Sequence, residues 1–359
     1  MSDQNFMRRA LALSERGAGW VAPNPLAGAV LVKDDKIIGE GWHARYGQEH
    51  AEAAALRAAR GARHDPSGAT LYITLEPCNH QGQTPPCTEA IMAAGIKRVV
   101  YAMADPNPRV AGGGGARLQA AGLRVIAGVE EAAARAQNKI YCHWITAGTP
   151  YVLVKAAVSA DDKISKTAGR STPISGSEAL RLVQALRQRY DAVLVGAGTV
   201  LSDDPRLTVR FPPEGVVPRN PWRVVLDGKL QIPLKAKVLA DPHCLIITAD
   251  AAPAAKRLAL SSPAEIITLP ASAGRFRLAD VLTQLAVRQI TSVMVEGGAE
   301  VFTQCLEESI GQEWLLIRSR KKFGAGLNFV RDPAMFADRL QLITAEPCGA
   351  DILEYYRFP

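Results

Sequence analysis

Four residues in the first quarter of the chain have side chains that could bind a metal and move a proton. His50 and Glu52 lie two residues apart, and Cys78 and Cys87 follow with eight residues between them. One imidazole and two thiolates form a three-ligand zinc set that leaves one tetrahedral position for water. Because zinc lowers the pKa of bound water to about 7, this set predicts a source of hydroxide at neutral pH.

The spacing of these residues indicates the reaction. H-x-E followed by P-C-x-x-C is the signature of zinc-dependent nucleobase deaminases, in which the glutamate is not a ligand. Here eight residues separate the two cysteines, so the thiolate loop is longer. Attack on an amidine-like ring carbon releases ammonia only if a proton reaches the leaving nitrogen, and Glu52 is the predicted shuttle. In the alternative interpretation, His50 and the cysteines only pack in the core and the joint motif is a coincidence.

Helices and strands must bring these residues together. The segment from His50 to Arg60 favours a helix that ends at Gly61, which places His50 and Glu52 in its first turn. A strand over 69–75 delivers Glu76-Pro77-Cys78 at its end, and another helix begins near Cys87. Residues 1–146 alternate helices and strands in this way, which predicts an α/β layered sheet.

Polar loop residues could line a pocket beside the metal. Asn24 lies between two prolines, His43 follows a predicted hairpin, and Asp105 and Asn107 follow a strand. Each residue also fits ordinary turn chemistry. We favour the pocket, because α/β sheets bind ligands at the ends of their strands.

The second half of the chain repeats the alternation of helices and strands. A turn-rich linker over 147–150 precedes residues 151–359, for which the pattern predicts a doubly wound α/β domain. Its predicted elements include a helix over 177–189, capped by Ser175 or Ser177, and strands over 151–158, 244–248, 313–318 and 351–357. Strand–glycine–helix junctions at Gly196 and Gly297 would let the backbone approach a phosphate. Neither junction is G-x-G-x-x-G, and glycine is common at such turns for steric reasons, so the pattern alone leaves nucleotide binding open.

Composition and charge restrict the class of protein. With 359 residues, 48% hydrophobic and 21% charged, the chain is typical of a two-domain globular protein. No long apolar run or signal-peptide core is present, so neither a membrane span nor export is expected, and we expect a reducing cytoplasm. The net charge of +7 comes from scattered residues, which favours arginine-lined sites for a phosphorylated small molecule. A nucleic-acid-editing deaminase would instead need a clustered basic face with stacking aromatics, and aromatics are only 6% of the chain.

Six motifs of the first half can be compared with known families. They are Pro23-Asn24-Pro25, Gly39-Glu40-Gly41-Trp42-His43, His50-Ala51-Glu52, Thr74-Leu75-Glu76-Pro77-Cys78, Thr84-Pro85-Pro86-Cys87 and Asp105-Pro106-Asn107-Pro108-Arg109-Val110-Ala111-Gly112. Together they resemble the bifunctional deaminase/reductase family of riboflavin biosynthesis. The resemblance covers the whole chain and is stronger in the first half. It implies a cytidine-deaminase-like α/β/α layered domain followed by a dihydrofolate-reductase-like α/β domain.

The resemblance implies two activities and their residues. They are zinc-dependent deamination of 2,5-diamino-6-ribosylamino-4(3H)-pyrimidinone 5′-phosphate and NADPH-dependent reduction of its ribosyl group. In the first, Glu52 would be catalytic, Asn24 and His43 would contact the pyrimidine, and Asp105 and Asn107 are expected in the same site. NADPH would be bound by Ala157, Thr199, Asp203, Gly297, Gly298 and Ala299. The reductase substrate would be bound by Ser171, Arg187, Leu207, Arg210 and Glu296, with the arginines suited to its phosphate.

The resemblance and the composition also predict the binding partners of the protein. They are the small-molecule pyrimidine ribotide and further copies of the chain in a dimer or tetramer, with no nucleic acid and no membrane.

Three departures from the family pattern support an alternative function. Gln83 occupies the position of a basic residue that can engage the ribose phosphate. Near the cofactor, Asp162 replaces a glycine and Pro173 replaces an aromatic. An added negative charge and a lost aromatic would each weaken NADPH binding. The alternative is a deaminase-only paralogue with a degenerate reductase half, serving a specialised pathway that branches from riboflavin precursors, such as a toxoflavin-like one.

Overall fold

The chain folds as two compact units, Met1–Gly148 and Thr149–Pro359. The computed structural model describes residues 2–81, 85–108, 113–170, 172–212, 216–272 and 274–359. In this described part, none of the helices has the length and apolar character needed to span a lipid bilayer.

The first unit packs helices on a five-stranded sheet. Its helices are α1 (Asp3–Ser14), α2 (Ala51–Gly61), α3 (Cys87–Ala93), α4 (Gly113–Ala120), α5 (Glu131–Gln137) and α6 (Lys139–Ala147). Its strands are β1 (Gly28–Lys33), β2 (Lys36–Trp42), β3 (Thr70–Leu75), β4 (Arg98–Met103) and β5 (Arg124–Ala127). The order is β2-β1-β3-β4-β5, in which β1 is antiparallel to both neighbours and β3, β4 and β5 are parallel.

Alternate residues of β3 contribute to two apolar clusters, which gives an α/β/α arrangement. Leu71 and Ile73 belong to the cluster that includes α2, and Tyr72 belongs to the cluster that includes α1. In the parallel register Leu75 pairs with Met103, so the segments that follow β3 and β4 lie side by side. These two segments carry Cys78 and Asp105.

Two glycines of β2 bring α2 close to the sheet. A Cβ atom at Gly39 would lie 2.5 Å from the carbonyl oxygen of Ala55, and one at Gly41 would lie 2.4 Å from its nitrogen. Larger residues at these positions would push the helix away from the strand. The close packing fixes the N-terminal end of α2, where His50 is the N-cap residue.

The second unit contains a nine-stranded sheet. Its helices are α7 (Ser177–Arg189), α8 (Ala197–Asp203), α9 (Ala254–Leu260), α10 (Leu278–Val287), α11 (Ala299–Glu307) and α12 (Pro333–Arg339). Its strands are β6 (Tyr151–Val158), β7 (Lys163–Ser165), β8 (Ala192–Gly196), β9 (Trp222–Leu226), β10 (Cys244–Thr248), β11 (Glu265–Thr268), β12 (Ser292–Gly297), β13 (Glu313–Arg318), β14 (Leu327–Asn328), β15 (Gln341–Cys348) and β16 (Asp351–Arg357). The order is β11-β10-β9-β8-β12-β6-β13-β16-β15, and β7 pairs with β14 separately.

Parallel pairing in this sheet aligns the strand ends that carry the expected site. The first seven strands in the sheet order, which begin with β11 and end with β13, all run parallel to their neighbours. At the other edge, β16 is antiparallel to β13 and β15 is antiparallel to β16. Because β12 lies between β8 and β6, the glycine junctions after β8 and β12 are neighbours. The continuous apolar runs of these strands fit a sheet that is buried on both faces.

Two local features differ from the sequence expectation. Helix α6 continues through Ala147, one residue into the expected linker, and ends at Gly148 with a φ of +67°. Helix α7 has Gly176 as its N-cap residue and no side-chain cap, where a serine cap from Ser175 or Ser177 was expected. A glycine is acceptable at this position because its backbone adopts the required extended conformation.

Candidate active sites

Three donor atoms converge at the N-terminal end of α2. The ligand atoms of His50, Cys78 and Cys87 all lie within 4.8 Å of one another. His50 Nδ1 lies 3.3 Å from Cys87 Sγ and 3.6 Å from Cys78 Sγ. Tetrahedral angles at the usual zinc distances separate donors by roughly 3.5 Å. The three residues therefore fit zinc, with one coordination position remaining for a non-protein ligand.

Strand β3 and helix α3 position the two cysteines. Cys78 follows β3 after Glu76 and Pro77, and Cys87 is the first residue of α3. The Cys87 N–H donates to Cys78 Sγ at 3.4 Å, and the Thr88 N–H donates to the Cys78 carbonyl at 3.2 Å. The hydrogen bond from the Cys87 side chain, helped by His50, lowers the pKa of the Cys78 thiol to about 4 against the effect of burial. The same hydrogen bond to Cys78, together with burial, raises the pKa of the Cys87 thiol, so the two cysteines share one negative charge before a metal binds.

Glu52 lies in the first turn of α2, and its side chain is buried (4% exposed). Burial raises the pKa of its carboxyl, and the charge of His50 offsets only part of that rise. A carboxyl group with a raised pKa binds a proton more readily than an exposed glutamate, which suits a group that must accept and return one. The position and the electrostatics of Glu52 therefore suit proton transfer beside the metal donors.

Asn24 and His43 form a hydrogen-bonded pair next to His50. His43 Nδ1 is 2.9 Å from the carbonyl oxygen of Glu49, so that nitrogen carries the proton. The opposite ring nitrogen, Nε2, then accepts from the Asn24 amide at 3.1 Å. Burial lowers the pKa of His43, which keeps the ring neutral. The His43 and His50 rings meet edge to face at 5.4 Å, so this pair borders the metal donors.

The segment after β4 is held beside β3 by a buried network. Asp105 Oδ1 accepts from the Tyr141 hydroxyl at 2.8 Å and from the Asn107 N–H at 2.9 Å. The Glu76 carboxylate accepts from the Asp105 N–H at 3.4 Å. Sequence reasoning assigned no role to Glu76 or Tyr141. A charged residue at the end of an apolar strand was the available signal for Glu76, whereas Tyr141 carried none.

A buried ion cluster lies at the end of β12 in the second unit. Glu296 Oε2 is 3.0 Å from Lys155 Nζ, and Glu296 Oε1 is 2.7 Å from Arg187 Nε. Burial raises the pKa of the Glu296 carboxyl, but the two cations outweigh that effect and hold it at about 2. Arg187 also donates from Nη2 to Glu296 and from Nη1 to the Thr208 carbonyl.

The glycine junction after β12 leaves space beside α8. Gly297 has a φ of +126°, which only glycine adopts readily, and the Gly297–Gly298 peptide bond is cis. A Cβ atom at Gly298 would lie 3.2 Å from Thr199 Oγ1. The junction therefore forms a narrow cradle that closes against Thr199 and precedes the nine-residue helix α11. A cradle of this kind, at a helix N-terminus, fits a phosphate-bearing cofactor.

Asp162 and Pro173, the two substitutions expected to weaken cofactor binding, each form a polar contact in the structure. Asp162 has a φ of +61°, which explains why glycine suits this turn, and Arg318 Nη1 lies 2.8 Å from its Oδ1. The Pro173 carbonyl accepts from Lys321 Nζ at 3.1 Å. The argument from like charges assumed an unpaired aspartate, and the structure shows a paired one.

Not all expected residues can be placed in these sites. Ser171, Gln83 and the 109–112 segment lie outside the described residues. Leu207 is buried with a φ of +54°, and the Arg210 N–H donates to Gln184 Oε1 at 2.7 Å. Ala157 is in β6 and Asp203 ends α8. Within the described residues, no hydrogen bond or ion pair joins the side chains of Asp203 or Arg210 to the Glu296 cluster.

Comparison with protein families gives a match for each unit. The cytidine and deoxycytidylate deaminase zinc-binding region matches residues 1–103. The RibD C-terminal domain matches residues 150–353.

Similar proteins cover nearly the whole chain. Riboflavin biosynthesis protein RibD of Aquifex aeolicus is 40% identical over 91% of this chain and 89% of its own length. RibD of Acinetobacter baumannii has a solved structure that is 36% identical, with a TM-score of 0.87 over 99% of both chains. A Thermotoga maritima structure, described as a diaminohydroxyphosphoribosylaminopyrimidine deaminase/5-amino-6-(5-phosphoribosylamino)uracil reductase, is 35% identical, with a TM-score of 0.85 over 99% of both chains.

A deaminase-type zinc-binding region followed by a reductase-type α/β domain defines a class of two-domain enzymes. The chain belongs to the riboflavin biosynthesis family of RibD, the bifunctional deaminase/reductase. The family and the fold class that the sequence motifs predicted are confirmed. No finding favours the deaminase-only alternative.

Proposed function

We propose that this protein deaminates 2,5-diamino-6-ribosylamino-4(3H)-pyrimidinone 5′-phosphate and then reduces the ribosyl group of the product. The observation that carries the proposal is the convergence of His50, Cys78 and Cys87 beside the buried carboxyl of Glu52. The description of the Thermotoga maritima relative as a deaminase and reductase supports both steps.

In the first step, His50, Cys78 and Cys87 would hold zinc, which would supply activated water. The Glu52 carboxylate accepts a proton from the attacking water and returns it to the exocyclic nitrogen. The ring carbon gains a C–O bond, its C–N bond breaks, and the nitrogen leaves as ammonia.

Four polar residues form the proposed pyrimidine site. The Asn24 amide donates one N–H to His43, so its carbonyl oxygen and its second N–H remain for the ring. His43 fixes the orientation of that amide, and Asp105 and Asn107 contact the ring from the segment after β4.

In the second step, the Gly297–Ala299 junction and Thr199 would hold NADPH, which would supply hydride. Ala157 and Asp203 belong to the same proposed cofactor site. Arg187 donates to both oxygens of Glu296 and to the Thr208 carbonyl, which orients its guanidinium in the proposed substrate site.

The substrate phosphate is assigned to Arg210. Its backbone N–H is fixed by Gln184, and its guanidinium has no ion pair in the part of the chain that the structure describes. Leu207 and Ser171 complete the proposed substrate site. We also propose a cytoplasmic location and a homo-oligomeric assembly.

Ammonia release tests the deaminase assignment. The purified protein is supplied in parallel with the diaminopyrimidine ribotide, with cytidine and with single-stranded DNA. We expect ammonia from the ribotide alone. Release from cytidine or DNA, without release from the ribotide, would contradict the proposal and support a different deaminase.

A further inference from the structure

Glu76 is a buried carboxylate that joins three segments of the deaminase unit. Its side chain is 5% exposed, and it lies between the end of β3 and the metal donor Cys78. One oxygen, Oε1, accepts from the Gly115 N–H at 2.9 Å, and the other, Oε2, accepts from the Asp105 N–H at 3.4 Å. The backbone N–H of Glu76 donates to the Met103 carbonyl at 2.9 Å. The segment that carries Cys78 is thereby tied to the loop after β4 and to the first turn of α4.

The two N–H groups need an acceptor of this kind. Gly115 lies in the first turn of α4, where backbone N–H groups have no partner within the helix, and Asp105 lies beyond the end of β4. A carboxylate has two acceptor oxygens and no donor, so it can satisfy both groups. A glutamine would turn one amide N–H₂ group towards a backbone N–H and lose one of the two bonds.

The glycines at the start of α4 make this contact possible. A Cβ atom at Gly114 would lie 1.8 Å from the Pro77 carbonyl oxygen. At Gly115, it would lie 3.1 Å from the Tyr101 hydroxyl oxygen and 3.4 Å from Glu76 Oε1. Glycines are therefore needed here for a steric reason, because α4 approaches Glu76 and Pro77 too closely for larger residues.

The other end of the network reaches the proposed substrate residues. Asp105, held through its N–H by Glu76, accepts from Tyr141 and from the backbone of Asn107. Glu76 and Tyr141 thus fix Asp105 through two different groups, its backbone N–H and its side-chain carboxylate. We propose that Glu76 is a positioning residue that sets the pyrimidine-binding segment in register with the metal donors. This inference rests on the proposed deaminase function.

Kinetics of Glu76→Gln in the full chain test the inference. Loss of one hydrogen bond to a charged acceptor should raise the KM for the ribotide by about tenfold or more. We expect kcat to change much less, since the metal donors and Glu52 stay in place, and zinc content to be unchanged. Tyr141→Phe removes the second support of Asp105 and should raise KM in the same direction. Glu89→Gln, an exposed carboxylate of the same unit, is the matched control and should have no effect.

Each contrary outcome identifies what is wrong. An unchanged KM in Glu76→Gln, or a loss of zinc from it, would refute the positioning role, because the carboxylate would then be dispensable or would act through the metal. Should Glu76→Gln fail to fold, an unchanged KM in Tyr141→Phe would refute the role. A wild-type protein that releases no ammonia from the ribotide would refute the proposed function itself. NADPH-dependent reductase activity, measured in the same samples, reports whether each variant chain is intact.

Discussion

The Asp162 carboxylate lies 2.8 Å from the Arg318 guanidinium, and the same arginine bonds Glu354 at 2.8 Å. The negative charge that replaces the family's glycine, in the turn after β6, is therefore paired with an arginine of β13. Asparagine and aspartate tolerate the left-handed backbone found here, so the substitution is also acceptable to the main chain. Because the charge of Asp162 is paired, it is no longer a reason to expect an inactive reductase.

NADPH binding should therefore be nearly indifferent to the Asp162 charge. We expect Asp162→Asn to change the Kd for NADPH by less than about twofold, because partly exposed ion pairs contribute little. Arg318→Gln should weaken binding more, since it leaves the carboxylates of Asp162 and Glu354 unpaired. Titration of NADPH fluorescence measures the Kd of both variants. Binding that becomes many times tighter in Asp162→Asn would restore the like-charge account.

Zinc content should depend on the three converging donors. We expect about one zinc per chain, and its loss in both Cys78→Ser and Cys87→Ser, because catalytic zinc sites use three protein ligands. Cys142→Ser, in α6 of the same unit, should keep its metal. Metal analysis of the purified proteins decides the matter. Undiminished zinc in Cys78→Ser would show that the ligand set is wrong.

Glu52→Gln should lose ammonia release while its zinc content and reductase activity persist. The amide cannot accept the proton from water, so deamination should fall by roughly a hundredfold or more. Glu89→Gln serves as a control at an exposed position. Near-normal turnover in Glu52→Gln would mean that another group moves the proton.

The Glu296 cluster predicts a stability difference that depends on pH. Burial raises the pKa of this carboxyl, but Lys155 and Arg187 outweigh it and hold the folded value at about 2, below the ordinary 4.5. A lowered pKa stabilises the fold above pH 4.5, and that contribution is lost as the pH falls from 4.5 towards 2.

Unfolding of Glu296→Gln measures this contribution. Two buried cations without their partner should cost about 3–5 kcal/mol at neutral pH, and the gap to wild type should close below pH 4.5. The exposed pair of Glu300 and Arg331 gives a control, since Glu300→Gln should cost less than about 1 kcal/mol. A gap that stays constant down to about pH 3 would contradict the assigned pKa.

For several buried strands and a helix, the first and last residues could be predicted from the sequence. Strands β6, β10, β13 and β16 and helix α7 have the expected bounds, because apolar runs and helical periodicity both require a covered core. Strand β15 was not predicted. It lies at the edge of the sheet, almost all of its residues are exposed, and it contains Pro347, so no apolar pattern marks it.

The candidate site likewise contains residues that the sequence could predict and contacts that it could not. His50, Glu52, Cys78 and Cys87 carry a local signature, and the structure brings their side chains together. Tyr141 lies 36 residues from Asp105, and Glu76 lies 39 residues from Gly115, so only the folded chain relates them. The pairing of Asp162 with Arg318, 156 residues away, is likewise a tertiary fact, and without it the sequence suggested an unpaired charge.

The measurement that tests the central claim most directly is the mass of the products formed from the diaminopyrimidine ribotide. Without NADPH, we predict a single product in which one NH group is exchanged for one oxygen. With NADPH, that product should gain two hydrogens as the ribosyl group becomes ribityl. A product that stops at deamination in the presence of saturating NADPH would contradict the bifunctional account, and an unchanged ribotide would contradict both activities.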